Sequence, residues 1–107
     1  MLGHLHELAR ASGCAAEIEA AALPAIDEVL ELLERADERA IAGGTRRNRE
    51  YAEGFASFSP GVPEARRWLA CDAMTSGGLL AAVDGPMDVG VEIGRLVAGP
   101  AGAISVR

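Results

Sequence analysis

A glycine-rich stretch with several arginines in the middle of the chain has the residue types that bind phosphate. It reads Gly43-Gly44-Thr45-Arg46-Arg47-Asn48. Two glycines allow the backbone to present its N–H groups as a concave anion-binding nest. Thr45 and Asn48 add side-chain donors, and arginine holds phosphate oxygens through two parallel hydrogen bonds. The same residues also fit a turn followed by a solvated basic face, and residue types alone do not decide between the two.

A second stretch of small residues, Thr75-Ser76-Gly77-Gly78, runs directly into the apolar residues 79–83. Hydroxyl residues and glycines at the end of a strand allow a ligand or another backbone to approach closely. The alternative is a tight loop in which Thr75 and Ser76 hydrogen-bond their own backbone. Either interpretation predicts a loop over residues 72–78.

Other kinds of site find less support. His4 and His6 are the only histidines, and on a helix they point too far apart to hold one metal, so we expect partly exposed helix residues. No Cys/His cluster has zinc spacing, and no nucleophile elbow supports a serine triad. All ten basic residues are arginine, which excludes a catalytic lysine. Cys14 and Cys71 are expected to be buried, inert thiols.

Length and composition indicate one small acidic domain. The 107 residues are half apolar and carry a net charge of −6, which argues against a nucleic-acid or anionic-membrane binder. No apolar run is long enough to span a membrane, and no signal peptide is evident. We therefore expect a cytoplasmic protein with reduced cysteines.

The first half of the chain must position these residues through a few short elements. Apolar spacing predicts a helix over residues 2–12, with Gly13 in the left-handed position after it. Alternation predicts a strand over residues 14–20 with Glu17 and Glu19 on its wet face. A helix over residues 25–36 follows Pro24, with a core stripe that includes Ile26. Residues 43–61 are expected to be irregular or weakly helical.

The second half is predicted to contain one helix and three strands. The helix covers residues 63–71, with Pro63 in its first turn. Residues 79–83 form a strand buried on both faces, and residues 89–97 form a strand whose alternation slips near Gly94. A hairpin-type turn over residues 99–102 leads into a last strand over residues 103–107. Helices and strands without a βαβ repeat favour an α+β fold.

Three motifs together resemble one family, the selenophosphate synthetases (selenide, water dikinases). Leu2-Gly3-His4-Leu5 with Ser12-Gly13 resembles the stretch after that family's TDVTGFGL segment. Residues 43–48 resemble its GGTxRN motif, and residues 71–80 resemble its CDPQTSGGLL motif. Each motif is weak alone, but the order and spacing match. The resemblance covers residues 2–83 well and residues 89–107 loosely.

The resemblance implies that residues 1–107 form a single, partial domain like the C-terminal domain of aminoimidazole ribonucleotide (AIR) synthases. Family members use Mg and ATP to make selenophosphate from selenide and water, and they work as homodimers. Their nucleotide, metal and reactive-cysteine groups lie in an N-terminal half, which would be the partner of this chain. The resemblance assigns no catalytic or metal-binding residue here. It implies that the phosphate cleft is lined by eight residues: Gly43, Gly44, Thr45, Asn48, Thr75, Ser76, Gly77 and Gly78.

The chain also departs from the family pattern. Ala73 and Met74 replace the commoner Pro-Gln. The first strand of the domain and a late helix between Val83 and Val89 are missing, so one surface of the sheet should be uncovered. We therefore expect no activity from the chain alone. The alternatives are a stand-alone interaction or assembly module and a non-functional remnant.

Overall fold

The described part of the chain combines four α-helices and one four-stranded sheet, and it confirms the predicted α+β class. It was obtained as a computed structural model that describes residues 1–35, 39–74 and 77–107. In the described part the elements are α1 (Leu2–Ala11), β1 (Ala15–Ile18), α2 (Val29–Glu34), α3 (Gly43–Ala52), β2 (Ala56–Phe58), α4 (Glu64–Ala70), β3 (Gly94–Val97) and β4 (Ile104–Val106). A short 3-10 turn over Ala20–Ala22 follows β1.

The sheet is mixed, with the strand order β2-β4-β1-β3. Strand β4 runs parallel to both β1 and β2, whereas β3 pairs antiparallel with β1. Ile18 lies opposite Val106, and both are buried together with Ile104. Because side chains alternate across a strand, the neighbours of these residues along each strand, such as Glu17 and Ser105, point to the opposite face.

That opposite face is polar. Glu17 lies beside Ser105 on β4 and Arg95 on β3. The Arg95 guanidinium donates to Glu17 Oε2 at 2.7 Å, and Arg107 lies 3.4 Å from the same oxygen. In the described part of the chain this face bears no helix, as expected of a sheet with one uncovered surface.

The apolar face is covered by helices, and α1 agrees with its prediction. Leu2, Leu5 and Ala9 are buried on one side of it. Gly13 has a φ of 66°. Its N–H bonds to the Arg10 carbonyl and that of Cys14 to the Ala9 carbonyl, which is the pattern of a Schellman cap. The spacing of apolar residues and one glycine were enough to predict this helix.

Helix α2 is shorter than predicted, because the chain turns before it starts. Arg66 on α4 donates to the Leu23 carbonyl at 2.6 Å and holds residue 23 against that helix. Glu28 then adopts a left-handed φ of 69°, so the helix begins only at Val29. Ile26 is exposed and does not join the core stripe, whereas Leu33 is buried as predicted. Residue 36, the predicted end of this helix, lies outside the described residues.

The predicted strand over residues 79–83 is wrong. These residues form no strand, and Leu79 is fully exposed. An apolar run of this kind needs cover on both faces, but the helices cover only one face of the sheet.

The strand predicted over residues 89–97 is present only as Gly94–Val97. Its partner β1 ends at Ile18, which lies opposite Gly94, so the residues before Gly94 have no strand beside them. Residues 99–102 do turn, but they do not make a hairpin because β1 lies between β3 and β4.

Candidate functional site

The Gly43–Asn48 motif is helical rather than an open nest. Helix α3 begins at Gly43, after Ala42 in an extended conformation, and the Arg46 N–H already bonds to the Ala42 carbonyl. Residues 43–61 were predicted to be irregular or weakly helical, and the helical alternative is confirmed for Gly43–Ala52. The first N–H groups of a helix have no partner within it, and they lie at the positive end of the helix dipole.

The two predicted donors of this motif contact residues 71–73. Thr45 is buried, and its hydroxyl donates to Asp72 Oδ1 at 2.8 Å. The Thr45 hydroxyl oxygen also accepts the Ala73 N–H at 3.3 Å. Asn48 Nδ2 donates to the Cys71 carbonyl at 3.1 Å. Both side chains therefore bind residues 71–73, which belong to the motif at residues 71–80.

Gly44 allows this close contact. A Cβ atom at Gly44 would lie 2.9 Å from the Cβ of Ala73, which is too close for two carbon atoms. We call the contacts of Gly44, Thr45 and Asn48 with residues 71–73 the α3–loop junction. The junction brings two motifs together that are more than twenty residues apart in sequence, and the sequence predicted no contact between them.

The rest of the second motif is described only in part. Residues 72–74 and 77–78 have no regular secondary structure, in agreement with the predicted loop, and Gly77 and Gly78 are exposed. Thr75 and Ser76 lie outside the described residues. Of the eight residues expected to line the cleft, six are therefore described, and the cleft itself stays a prediction.

Arg47, in the Gly43–Asn48 motif, and Arg49, directly after it, have different surroundings. Arg49 binds Glu64 Oε1 at 2.5 Å and lies over the Trp68 ring, 4.0 Å from its centre. The hydrogen bond from Arg49 holds the pKa of the Glu64 carboxyl below its ordinary value. Arg49 thus fastens α3 to α4, and Arg47 is exposed to solvent. No residue pattern in the sequence indicates the pairing of Arg49 with Trp68.

Cys71 and the chain start lie at the junction, whereas Cys14 lies at the end of α1. Cys71 is buried and free, as predicted, and burial raises the pKa of its thiol. Cys14 is also free but only half-buried. The Met1 ammonium is close enough to interact with Cys71 and Asp72, and its own burial lowers its pKa. A thiol with a raised pKa is a poor nucleophile at neutral pH.

The histidines lie on α1, where the helix was predicted. His4 is exposed, whereas His6 is half-buried and stacks on Phe55 with ring centres 3.9 Å apart. His6 Nδ1 lies 2.8 Å from the Gly102 carbonyl oxygen. Within residues 1–35, 39–74 and 77–107, no three His, Cys, Asp or Glu side chains are grouped so as to hold a metal ion. The described helices also include none with the length and apolar character of a membrane span.

Comparison with known proteins gives one consistent result. No protein-family model matches the chain. Curated proteins named selenide, water dikinase do match it: 37% identity over 83 residues in Myxococcus xanthus and 44% over 82 residues in Pelobacter propionicus. The Pseudomonas aeruginosa protein is 42% identical over 84 residues.

These matches cover 77–78% of this chain but only 22–23% of each relative. The chain therefore spans less than a quarter of the length of the curated proteins it matches. The motif resemblance is confirmed, and the chain is homologous to one segment of the selenide, water dikinases.

Proposed function

We propose that the chain is the C-terminal segment of a selenide, water dikinase and forms one wall of its phosphate-handling cleft. The observation that carries the proposal is the 37–44% identity to proteins of that name over about four fifths of the chain. The backbone N–H groups at the start of α3 and the residues of the Thr75–Gly78 stretch would contact phosphate oxygens. Phosphoryl transfer depends mainly on such positioning and on charge neutralisation.

The remaining parts of the reaction would come from the rest of the enzyme. In the proposed complete protein, selenide, ATP and water give selenophosphate, AMP and phosphate, and Mg neutralises the phosphate charge. The described residues offer no grouped carboxylates that fit this metal, so we derive no step through it. The N-terminal half, in the same chain or as a separate one, would bring the nucleotide and metal sites. A homodimer in the cytoplasm is part of the same proposal.

Reconstitution tests this function directly. The chain is mixed with the Pelobacter propionicus relative from which the matching segment has been deleted, and selenophosphate formation from ATP and selenide is followed by phosphorus NMR. We expect the chain alone to give no product above the blank and the mixture to regain turnover. No gain over the truncated relative would contradict the proposal, and product from the pure chain would contradict the expected lack of activity.

A matched pair of variants links any regained turnover to the cleft. The double substitution Thr75→Ala and Ser76→Ala should reduce the turnover of the mixture. Ser105→Ala changes the same kind of group on the bare sheet face and should leave turnover unchanged. Equal effects of the two variants would mean that the cleft residues have no special part in the reaction.

A second candidate is a stand-alone interaction module. The observation in its favour is the apolar side chains left exposed in residues 79–91, among them Leu79, Val83, Val89 and Val91. Monomeric proteins rarely expose large contiguous apolar patches. A dimer or a complex in light scattering would support this candidate, and a monomer would contradict it. A broad, uncooperative melting curve would instead favour the third candidate, a non-functional remnant.

A further inference from the structure

We propose that Thr45 and Asn48 are positioning residues, which hold the loop after α4 at a fixed place against α3 rather than contact a ligand. Only the reference to a ligand rests on the function proposed above. The positioning itself follows from the α3–loop junction and applies to the chain whatever it binds.

The Thr45 hydroxyl has no hydrogen left to offer a ligand. A threonine hydroxyl has one proton to donate, and this proton goes to Asp72 Oδ1 at 2.8 Å. The oxygen also accepts the Ala73 N–H, and the residue is only 2% exposed. A phosphate oxygen needs a donor, so the buried Thr45 side chain is unsuited to bind one.

Asn48 acts on the same loop from the next turn of α3. Its amide donates to the carbonyl of Cys71, the cap residue directly after α4. The last carbonyls of a helix have no partner within it, so Asn48 serves as a cap supplied by another helix. Thr45 then holds the two residues that follow, Asp72 and Ala73. Three successive residues are thereby held by two side chains one helical turn apart.

The residues of the Gly43–Asn48 motif therefore have different roles. Gly44 allows the approach, and Thr45 and Asn48 hold the loop. Contact with a ligand is then left to backbone N–H groups at the start of α3 and to the Thr75–Gly78 stretch. A substitution at Thr45 should therefore act on the loop before it acts on any bound molecule.

Amide hydrogen exchange on the isolated chain tests the proposal without ATP or selenide. Thr45→Val keeps the shape of the side chain but removes the hydroxyl, whereas Thr45→Ser keeps the hydroxyl. We expect the Ala73 amide to exchange about fivefold faster in Thr45→Val, a typical effect of one lost hydrogen bond, and to stay near wild type in Thr45→Ser. The Ala16 amide in β1, bonded to the Ala103 carbonyl, reports on the rest of the fold.

Two results would overturn the proposal. One is unchanged exchange at Ala73 in Thr45→Val. The other is equal acceleration at Ala73 and Ala16, which would mean that the hydroxyl stabilises the whole domain without positioning the loop. Neither result bears on the reconstitution experiment, so the two proposals fail separately.

A double-mutant cycle at Gly44 provides an independent test. Gly44→Ala should bring its new Cβ against Ala73 and accelerate exchange at residue 73 about fivefold or more. Ala73→Gly in the same chain removes the opposing Cβ and should return the protection of residue 73 to that of Ala73→Gly alone. Failure of the second substitution to relieve the first would contradict a close junction.

Discussion

Gly102 allows the turn before β4 to pack against α1 because it has no side chain. Its φ is 83°, and a Cβ there would lie 2.8 Å from the His6 ring. Its carbonyl oxygen also lies 2.8 Å from His6 Nδ1. Any side chain at this position would therefore be strained and would displace the ring that stacks on Phe55.

Gly102→Ala is expected to lower the free energy of unfolding by about 2–3 kcal/mol, from backbone strain plus the displaced ring. The matched control is Gly13→Ala, which has a φ of 66° but open space around the new Cβ. It should cost about 1 kcal/mol. Urea unfolding measures both values, and equal losses would show that His6 contributes nothing.

Glu17 makes the stability of the chain depend on pH. The hydrogen bond from Arg95 is the main reason that the pKa of this carboxyl lies below its ordinary value. A carboxyl with a lowered pKa in the folded state stabilises the fold above its ordinary pKa. That contribution is lost as the pH falls through the folded-state value.

Glu17→Gln should therefore unfold at a lower urea concentration than wild type near pH 6, and the two midpoints should converge as the pH falls toward 3. Urea titrations across this range measure the effect. Glu7→Gln, which removes an exposed carboxyl on α1, is the charge-matched control. A gap between wild type and Glu17→Gln that persists at low pH would exclude the ion pair as its cause.

At the scale of elements, the Arg49 guanidinium and the Trp68 ring hold α3 and α4 together. Arg49 lies over Trp68 and binds Glu64, which is more than its place in a basic motif suggests. Arg49→Lys keeps the charge but loses the planar group that stacks on the ring. It should reduce stability by about 1 kcal/mol, whereas Arg47→Lys at an exposed position should change it little. Equal thermal shifts in the two variants would rule out a special contact at Trp68.

The elements differ in how well they can be predicted from their own residues alone. Helix α1 could be predicted because its apolar stripe and its closing glycine lie within thirteen residues. Helix α3 could be predicted only as one of two alternatives, irregular or weakly helical, because its two glycines favour a loop and the helix is held by contacts with residues 71–73 and with α4. Strand β3 begins only where β1 offers a partner, and the slip in alternation near Gly94 marked this place without showing that the strand would begin there.

The candidate site could likewise be predicted only in part. The residue types in the two motifs and their resemblance to a family could be recognised in the sequence, and proteins named selenide, water dikinase match the chain over about four fifths of its length. The direction of the Thr45 and Asn48 side chains could not be predicted, because it depends on the place of α4 in the fold. The specific resemblance of the sheet to AIR synthase domains stays a prediction.

For the whole molecule, substitutions of the exposed apolar side chains in residues 79–91 should affect self-association but hardly change the stability of the fold. The triple variant Leu79→Ser, Val83→Ser and Val89→Ser should reduce any self-association seen by light scattering. It should change the free energy of unfolding by less than about 0.5 kcal/mol, because exposed side chains lose little when shortened. By contrast, Val106→Ala removes a fully buried side chain and should cost about 2 kcal/mol. A large loss of stability in the triple variant would mean that these residues pack within the domain.

The order of the strands has a consequence for synthesis on the ribosome. Strand β4 joins β1 to β2, yet it is formed by Ile104–Val106, which are made long after either of those strands. Until those residues leave the exit tunnel, β1 and β2 have no common neighbour, and the apolar faces of the helices have no complete sheet to cover. The nascent domain must therefore wait for β4 before it can fold, and during that time it is a natural client for chaperones.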